Sequence, residues 1–292
     1  MDKEKILRAG KIASEVKAYA RTIVAKNVSL LEIAEKIESK ISELGGKPAF
    51  PCNLSINEIA AHDTPSHEDT RIAHGLLKVD FGVHVEGWTA DNAFSVDLED
   101  SEENKKLILA SEKALENSLG IVKEDISASE IGKTIQDTIE SHGFSPIINL
   151  SGHSMEQYEL HAGVTIPNVN DSRNIILKKG LYAIEPFSTT GNGRVRDGRP
   201  SGIYGLRNTK KPRSELARQT LSFIESEYNT LPFCSRWLIK KLGLNSTLAL
   251  RELEANGNLH HFKQLVEVSG SKVSQAEQTI LIEKDKVTVT TA

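Results

Sequence analysis

Two aspartates, Asp80 and Asp91, lie in a stretch whose residue types and spacing could do chemistry: Lys78–Asp91, K-V-D-F-G-V-H-V-E-G-W-T-A-D. Val79, Phe81, Val83 and Val85 alternate with other residues and Glu86-Gly87 supplies a turn, which predicts a β-hairpin. The aspartates are an odd number of positions apart, so across an even-membered loop both carboxylates point to one face. Aspartate is disfavoured in strands, and like charges on one face repel. A divalent cation held between them would offset that repulsion. The alternative is two exposed polar positions on an edge hairpin.

An internal repeat adds a third acid. The pattern S-x-x-E-I-x-x-x-I-x-x-x-I-x-x-x-G-x-x-P occurs at Ser29–Pro48 and again at Ser127–Pro146. Asn53-Leu54-Ser55 follows the first copy and Asn149-Leu150-Ser151 the second. Further on, Gly75-Leu76-x-x-Val79-Asp80 is matched by Gly180-Leu181-x-x-Ile184-Glu185. Three matches in one order argue for two copies of a helix–helix–strand unit about a pseudo-twofold axis, with Asp80 and Glu185 equivalent. Glu277 sits near the start of a last hairpin, Q-A-E-Q-T-I-L-I-E, with its turn at Lys284-Asp285-Lys286. All four acids are expected on strands. His153 and His161 lie in S-G-H-S-M-E-Q-Y-E-L-H-A-G, and His62 in N-E-I-A-A-H-D-T-P. Carboxylates plus one imidazole suit a pair of divalent ions such as Mn, Fe, Co or Zn, which activate a water at neutral pH and polarise a carbonyl.

The elements that must position these groups can be read from periodicity. Residues 2–26 predict an amphipathic helix with Ile6, Ala9, Ile12, Ala13, Val16 and Ala20 on one face. Capping boxes start the next helix at Ser29 and the fourth at Ser127, and glycines end both. A third helix spans 102–119. From Gly193 the pattern changes: Arg194–Pro200 is polar and glycine-bearing, then 214–228 and 245–256 read as helices. Strand returns from Ser274.

A chain of 292 residues with 38% hydrophobic and 26% charged residues is an ordinary globular protein. Its net charge of −4 gives no overall attraction to nucleic acid or an anionic membrane. No apolar run is long enough to span a bilayer, and the charged start, M-D-K-E-K-I-L-R-A-G, lacks the apolar core of a signal peptide. Cys52 and Cys234 have no metal-ligand spacing, and a reducing cytoplasm is expected.

As a set, F-P-x-N-L-S-x-N-E-I-A-A-H, K-V-D-F-G-V-H, N-L-S-G-H, L-H-A-G, A-I-E-P-F and the late A-E-x-T resemble a type 2 methionine aminopeptidase of the short, archaeal-like form. The resemblance covers essentially the whole chain. It implies an α+β, duplicated pita-bread fold with pseudo-twofold related halves, interrupted by a helical, winged-helix-like insertion. The core would be residues 1–204 and 263–292, and the insertion 205–262. It also implies two divalent ions: Asp80 on the second, Asp91 and Glu277 bridging, His153 and Glu185 completing the first. His62 and His161 match the two non-ligand histidines that hydrogen-bond substrate and tetrahedral intermediate. Phe50, Leu160, Ile203 and Phe262 would line a methionine pocket. The implied activity is removal of the N-terminal methionine from nascent polypeptides with a small second residue, by a monomer in the cytoplasm.

One departure stands out: Ala276-Glu277-Gln278-Thr279 replaces the family's usual Phe-Glu-His-Thr, which bears on metal preference because groups behind the ligands tune a metal. His84 is expected at the hairpin surface and His260-His261 in solvent. Cys52 is expected to pack, without a base to activate it. Lys210-Lys211-x-Arg213 and Lys240-Lys241 are solvated charge or a ribosome contact. The competing functions are an X-Pro dipeptidase of the same fold and a non-catalytic nascent-chain- or ribosome-binding protein.

Overall fold

Residues 1–292 are described by a computed structural model. The first half begins with α1 (Lys3–Ile23) and α2 (Leu30–Glu43), capped by Asp2 and Ser29. Then come β1 (Lys47–Ile56), the short β2 (Ile59–Ala61), β3 (Leu76–Val85) and β4 (Trp88–Asp97). β1, β3 and β4 form one antiparallel sheet. The helices lay their apolar stripes on it, burying Ile12, Val16, Ile33, Ile37 and Ile41 with Leu54, Val79, Phe81 and Val83 in one core cluster of 22 buried residues. Helix α1 is shorter than expected because Val24 turns extended (φ −78, ψ 112) and is itself buried.

The second half repeats this plan with α3 (Glu102–Ile121), α4 (Ala128–Ser141), β5 (Ser145–Pro146), β6 (Ser151–Met155), β7 (Thr165–Pro167), β8 (Gly180–Ile184) and β9 (Phe187–Thr189). The duplication extends to single bonds. Ser29 bridges Ile72 in the first half and Ser127 bridges Ile176 in the second. Asn27 (φ 68) donates to Ala73 O at 2.8 Å, and Asp125 (φ 66) to Leu177 O at 2.9 Å. The capping boxes differ, however. Glu130 returns to Ser127 N at 3.2 Å, whereas Glu32 pairs with Lys36 at 2.6 Å, leaving Ser29 to cap alone.

The polar, glycine-bearing stretch from Arg194 runs into β10 (Val195–Leu206), twelve residues long. After it come α5 (Glu215–Tyr228), β11 (Phe233–Cys234), α6 (Ser235–Leu242), α7 (Ser246–Ala255) and β12 (Leu259–Glu267). β10 pairs with β12 from Val195↔Glu267 to Leu206↔Leu259, and register shifts on either side of Pro200 absorb its missing N–H. Three or so helices are expected in this segment, but α6, with only eight residues, is too short for a stripe that would place it. The helices share a separate apolar cluster that includes Leu221, Ile224, Phe233, Leu238 and Leu253. Helix α6 is tied to α2 by a buried fork, Arg236 Nη1 and Nη2 donating to Glu38 at 2.7 and 2.8 Å, with Trp237 Nε1 adding a bond at 2.9 Å. The chain closes with β13 (Val273–Gln275), β14 (Gln278–Glu283) and β15 (Lys286–Val289). The strand order β15-β14-β8-β6-β7 makes the second half's main sheet. No helix is long and apolar enough to cross a membrane.

Candidate metal centre

The hairpin of β3 and β4 turns at Glu86 (φ 48) and Gly87 (φ 85), the left-handed pair that matches strand twist. Its register opposes Asp80 to Ala93 and Gly82 to Asp91, so the carboxylates are diagonal neighbours on one face. Gly82 is needed for another reason: a Cβ there would meet the Phe50 ring at 2.4 Å. Glu185 and Glu277 correct the expectation of four strand residues. Glu185 follows the last residue of β8, and Glu277 lies in the break between β13 and β14. Both breaks fall where the chain passes from one sheet to another. Glu277 N donates to Ala93 O at 3.1 Å, which brings its carboxylate beside the first half's hairpin.

One cavity of about 210 Å³ collects these groups. Asp80, Asp91, His153, Glu185 and Glu277 line its floor, and His62 and His161 flank it. Phe50, Leu160, Ile203 and Phe262 line its apolar part. The donor atoms of Asp91, His153 and Glu277 all lie within 4.8 Å of one another. His153 Nε2 is 3.6 Å from Asp91 Oδ2 and 3.7 Å from Glu185 Oε1. The His161 ring meets His153 edge-on, with centroids 4.3 Å apart.

The electrostatics ask for cations. Burial, then neighbouring carboxylates, hold Asp91, Glu185 and Glu277 well above the usual range. Burial pushes Asp80 up to about 7 although the nearby Gln275 amide pulls the other way. No lysine or arginine forms an ion pair with any of the four: Lys17 acts on Glu277 only across a distance, and His153, which lies against Asp91 and Glu185, is held down to about 3 by burial and His161. Asp80 Oδ1 is sealed from solvent without a hydrogen-bond partner. Four clustered carboxylates around a neutral imidazole, with an unpaired buried oxygen, fit divalent metal and fit little else at neutral pH.

The histidines differ in wiring. His62 follows β2 in the left-handed region (φ 60). Its Nδ1 donates to Lys263 O at 3.1 Å, and burial holds its pKa down to about 4. The ring is therefore neutral, with Nε2 left as an acceptor. His161 is also held low by burial. His84 is buried, not a surface residue: Gly87 N donates to its Nδ1 at 3.0 Å. His261 is likewise packed, stacked on Tyr204 at 4.1 Å. Cys52 is a sealed core residue whose thiol burial pushes well up.

Several contributors were not foreseen. Thr279 Oγ1 accepts from Asp91 N at 2.7 Å and donates to Asp91 O at 2.8 Å, standing in for a strand partner between β4 and β14. The glutamine that reaches the carboxylates is Gln275, whose Nε2 donates to Glu277 at 3.3 Å; the flagged Gln278 is half-buried and has no side-chain hydrogen bond. Lys17 donates to Asn92, beside Asp91, at 3.0 Å. Asn53 and Asn149 both line the cavity, and their place in the repeated Asn-Leu-Ser was the one available signal.

Comparison with known proteins agrees with this geometry. Residues 4–222 match the family described as metallopeptidase family M24. A protein of Pyrococcus horikoshii named methionine aminopeptidase is 47% identical over 296 residues, covering 100% of both chains. Another so named, from Methanocaldococcus jannaschii, is 45% identical over 291 residues, covering 99% of this chain and 98% of that one. Among solved structures, a methionine aminopeptidase from Thermotoga maritima superposes with a TM-score of 0.71 at 22% identity, covering 99% of this chain and 95% of that one. At that identity the likeness shows the fold alone, the duplicated α+β architecture. Neither the X-Pro dipeptidase reading nor the non-catalytic one is favoured.

Proposed function

The chain belongs to metallopeptidase family M24, among the archaeal-type methionine aminopeptidases, and from that premise we infer that it removes the N-terminal methionine from polypeptides by metal-dependent hydrolysis. One observation carries the reading: the carboxylate–imidazole cluster and an apolar wall share one small cavity. A volume of about 210 Å³ suits one long side chain and the amine end of a peptide.

The donor set supports two ions: Asp91 and Glu277 would be shared between them, Asp80 would hold one, and His153 and Glu185 the other. Imidazole with carboxylates suits Mn, Fe, Co or Zn. Bound there, the ions supply an activated water and an electrophile for the scissile carbonyl. The chain's own groups then orient the peptide. Phe50, Leu160, Ile203 and Phe262 take up the methionine side chain. The acidic floor draws the free amine. His62 Nε2, a neutral acceptor, receives the N–H of the scissile amide, and His161 donates to the carbonyl oxygen as it gains negative charge. The likeness to the methionine aminopeptidases favours a small residue after methionine (Gly, Ala, Ser, Thr, Val, Pro or Cys), and a bulkier one would hold the carbonyl back from attack distance.

Residues 1–204 and 263–292 are taken as the catalytic core and 205–262 as the insertion, a division supported by the separate apolar cluster of α5–α7. Nascent chains are the substrate class. A monomer in the cytoplasm, with transient ribosome contact through Lys210-Lys211 or Lys240-Lys241, fits this role. Metal analysis together with a Met-Ala-Ser versus Ala-Pro peptide assay tests the whole reading. Metal-dependent release of methionine is expected, and cleavage of Ala-Pro alone would overturn it.

A further inference from the structure

The residue after His62 is held as firmly as His62 itself. Asp63 is buried, with only 2% of its side chain exposed. Its carboxylate accepts from Arg71 Nη1 and Nη2 at 2.8 and 3.1 Å, and from Gln264 Nε2 at 2.9 Å. Its backbone oxygen accepts from Leu54 N, in β1, at 2.7 Å. Arg71 is itself braced, because its Nε and Nη2 also donate to Asp69 and its carbonyl accepts from Leu30 N at the start of α2.

The other half of the grip comes from β12. Lys263 O holds the His62 ring and the next residue, Gln264, holds the Asp63 carboxylate. Two successive residues of β12 thus fasten two successive residues at the end of β2. The backbone at His62 needs fastening, since φ 60 is a conformation that side-chain-bearing residues rarely adopt. If the segment relaxed, the ring would leave Lys263 O, and Nε2 would lose both its direction and its fixed tautomer.

We propose that Asp63, clamped between Arg71 and Gln264, is a positioning residue that keeps His62 in its left-handed conformation with Nδ1–H on Lys263 and Nε2 presented to the cavity. It touches no substrate; it acts through His62. Because β12 leads directly out of α7, the same clamp makes the ring's aim depend on how the insertion is seated. The catalytic consequence rests on the role proposed above for His62, but the imidazole geometry does not.

The test uses the full chain. Gln264→Leu removes one bond without stranding a charge, and Asp63→Asn keeps the shape while weakening the fork to Arg71. Each is expected to lower kcat on Met-Ala-Ser by roughly 10- to 100-fold, with KM and metal content little changed. In a His62→Ala background the same substitutions should cost less than about 3-fold, since a residue acting through His62 has nothing left to act on. A structural role would leave the loss undiminished in that background, and that result overturns the proposal. Long-range ¹H–¹⁵N spectra of the imidazoles give a readout independent of activity. Wild type should show a single Nδ1–H tautomer for His62, and Gln264→Leu a mixture. An unchanged tautomer in both Gln264→Leu and Asp63→Asn also overturns the clamp. Failure of the wild type to cleave Met-Ala-Ser would instead refute the function and leave the spectra to decide the clamp.

Discussion

Asp80→Asn should have opposite effects on stability with and without metal, and the metal-free effect should depend on pH. Without metal, burial pushes the Asp80 carboxyl up to about 7, against an ordinary value of 3.8. Between those values the native state holds a proton that the unfolded chain has released, so stability falls as pH rises through that window and levels off above about 7. From pH 5 to 7.5 the loss works out to about 2–3 kcal/mol, or roughly 5–10 °C in Tm for two-state unfolding. This is an upper figure, because the residue is partly open to the cavity, where solvent screens the charge. Asparagine cannot titrate, so in chelated protein the Tm of Asp80→Asn minus that of wild type should grow by up to that amount over the window. Any offset from the new amide does not enter the slope, and although losing the Asp80 charge eases the shifts on Asp91, Glu185 and Glu277, burial, their first cause, keeps them raised in both proteins. His62, His84 and His153, held low by burial, lose stability as pH falls through about 6.5, but they do so in both proteins and cancel. With divalent metal present the order should invert, since wild type gains binding energy that the variant lacks. Scanning calorimetry with and without chelator reads both effects. A chelated Tm difference that is flat or shrinking from pH 5 to 7.5 would refute the assignment of Asp80 as a buried carboxylate awaiting a cation.

Asp91→Asn should keep the fold and abolish turnover, because a neutral amide cannot be shared between two cations; wild-type rates in that variant, or after exhaustive chelation, would sink the metal mechanism. His62→Ala and His161→Ala should each retain metal and lose kcat by roughly 10²–10⁴-fold; loss of metal from either would make that histidine a ligand. Arg236→Met strands Glu38 beneath α6 and should cost about 3–5 kcal/mol in denaturant unfolding, whereas a loss under about 1 kcal/mol would show the fork to be dispensable. Met-Ala, Met-Val and Met-Leu peptides should fall in that order of kcat/KM, and equal values would remove the steric filter.

The parts of the molecule legible in the sequence are those whose cause is local. The Lys78–Asp91 hairpin has its period and its turn in the chain itself, and its register follows from them. The repeat was legible for the same reason: each copy carries its own cap, stripe and terminating glycine, and the two halves reproduce even the Ser29 and Ser127 bridges. What escaped was set by a partner elsewhere. Arg194–Pro200 looks like a loop until β12 arrives to pair with it. His84 looks like a hairpin-tip residue until Gly87 N turns back on it.

At the site the same distinction separates residue type from reach. Asp80 and Asp91 could be paired by counting, because one hairpin holds both. Glu277 could be nominated but not placed, since what carries it to Asp91 is a break in strand pairing. Ala93 accepts its N–H, and two residues on, Thr279 spends its hydroxyl on both polar groups of the Asp91 backbone. A threonine in a strand announces nothing by itself, and neither does Gln275, which is set apart from Gln278 by ending β13 before the break instead of starting β14 after it. The carboxylates are brought together by neutral groups with no charge to advertise them. An acidic cluster that had to be both assembled and left unpaired would be spoiled by a lysine or arginine close enough to pair with it, and even Lys17 is turned onto Asn92 instead, so most of the residues that position it belong to the types that sequence patterns mark least.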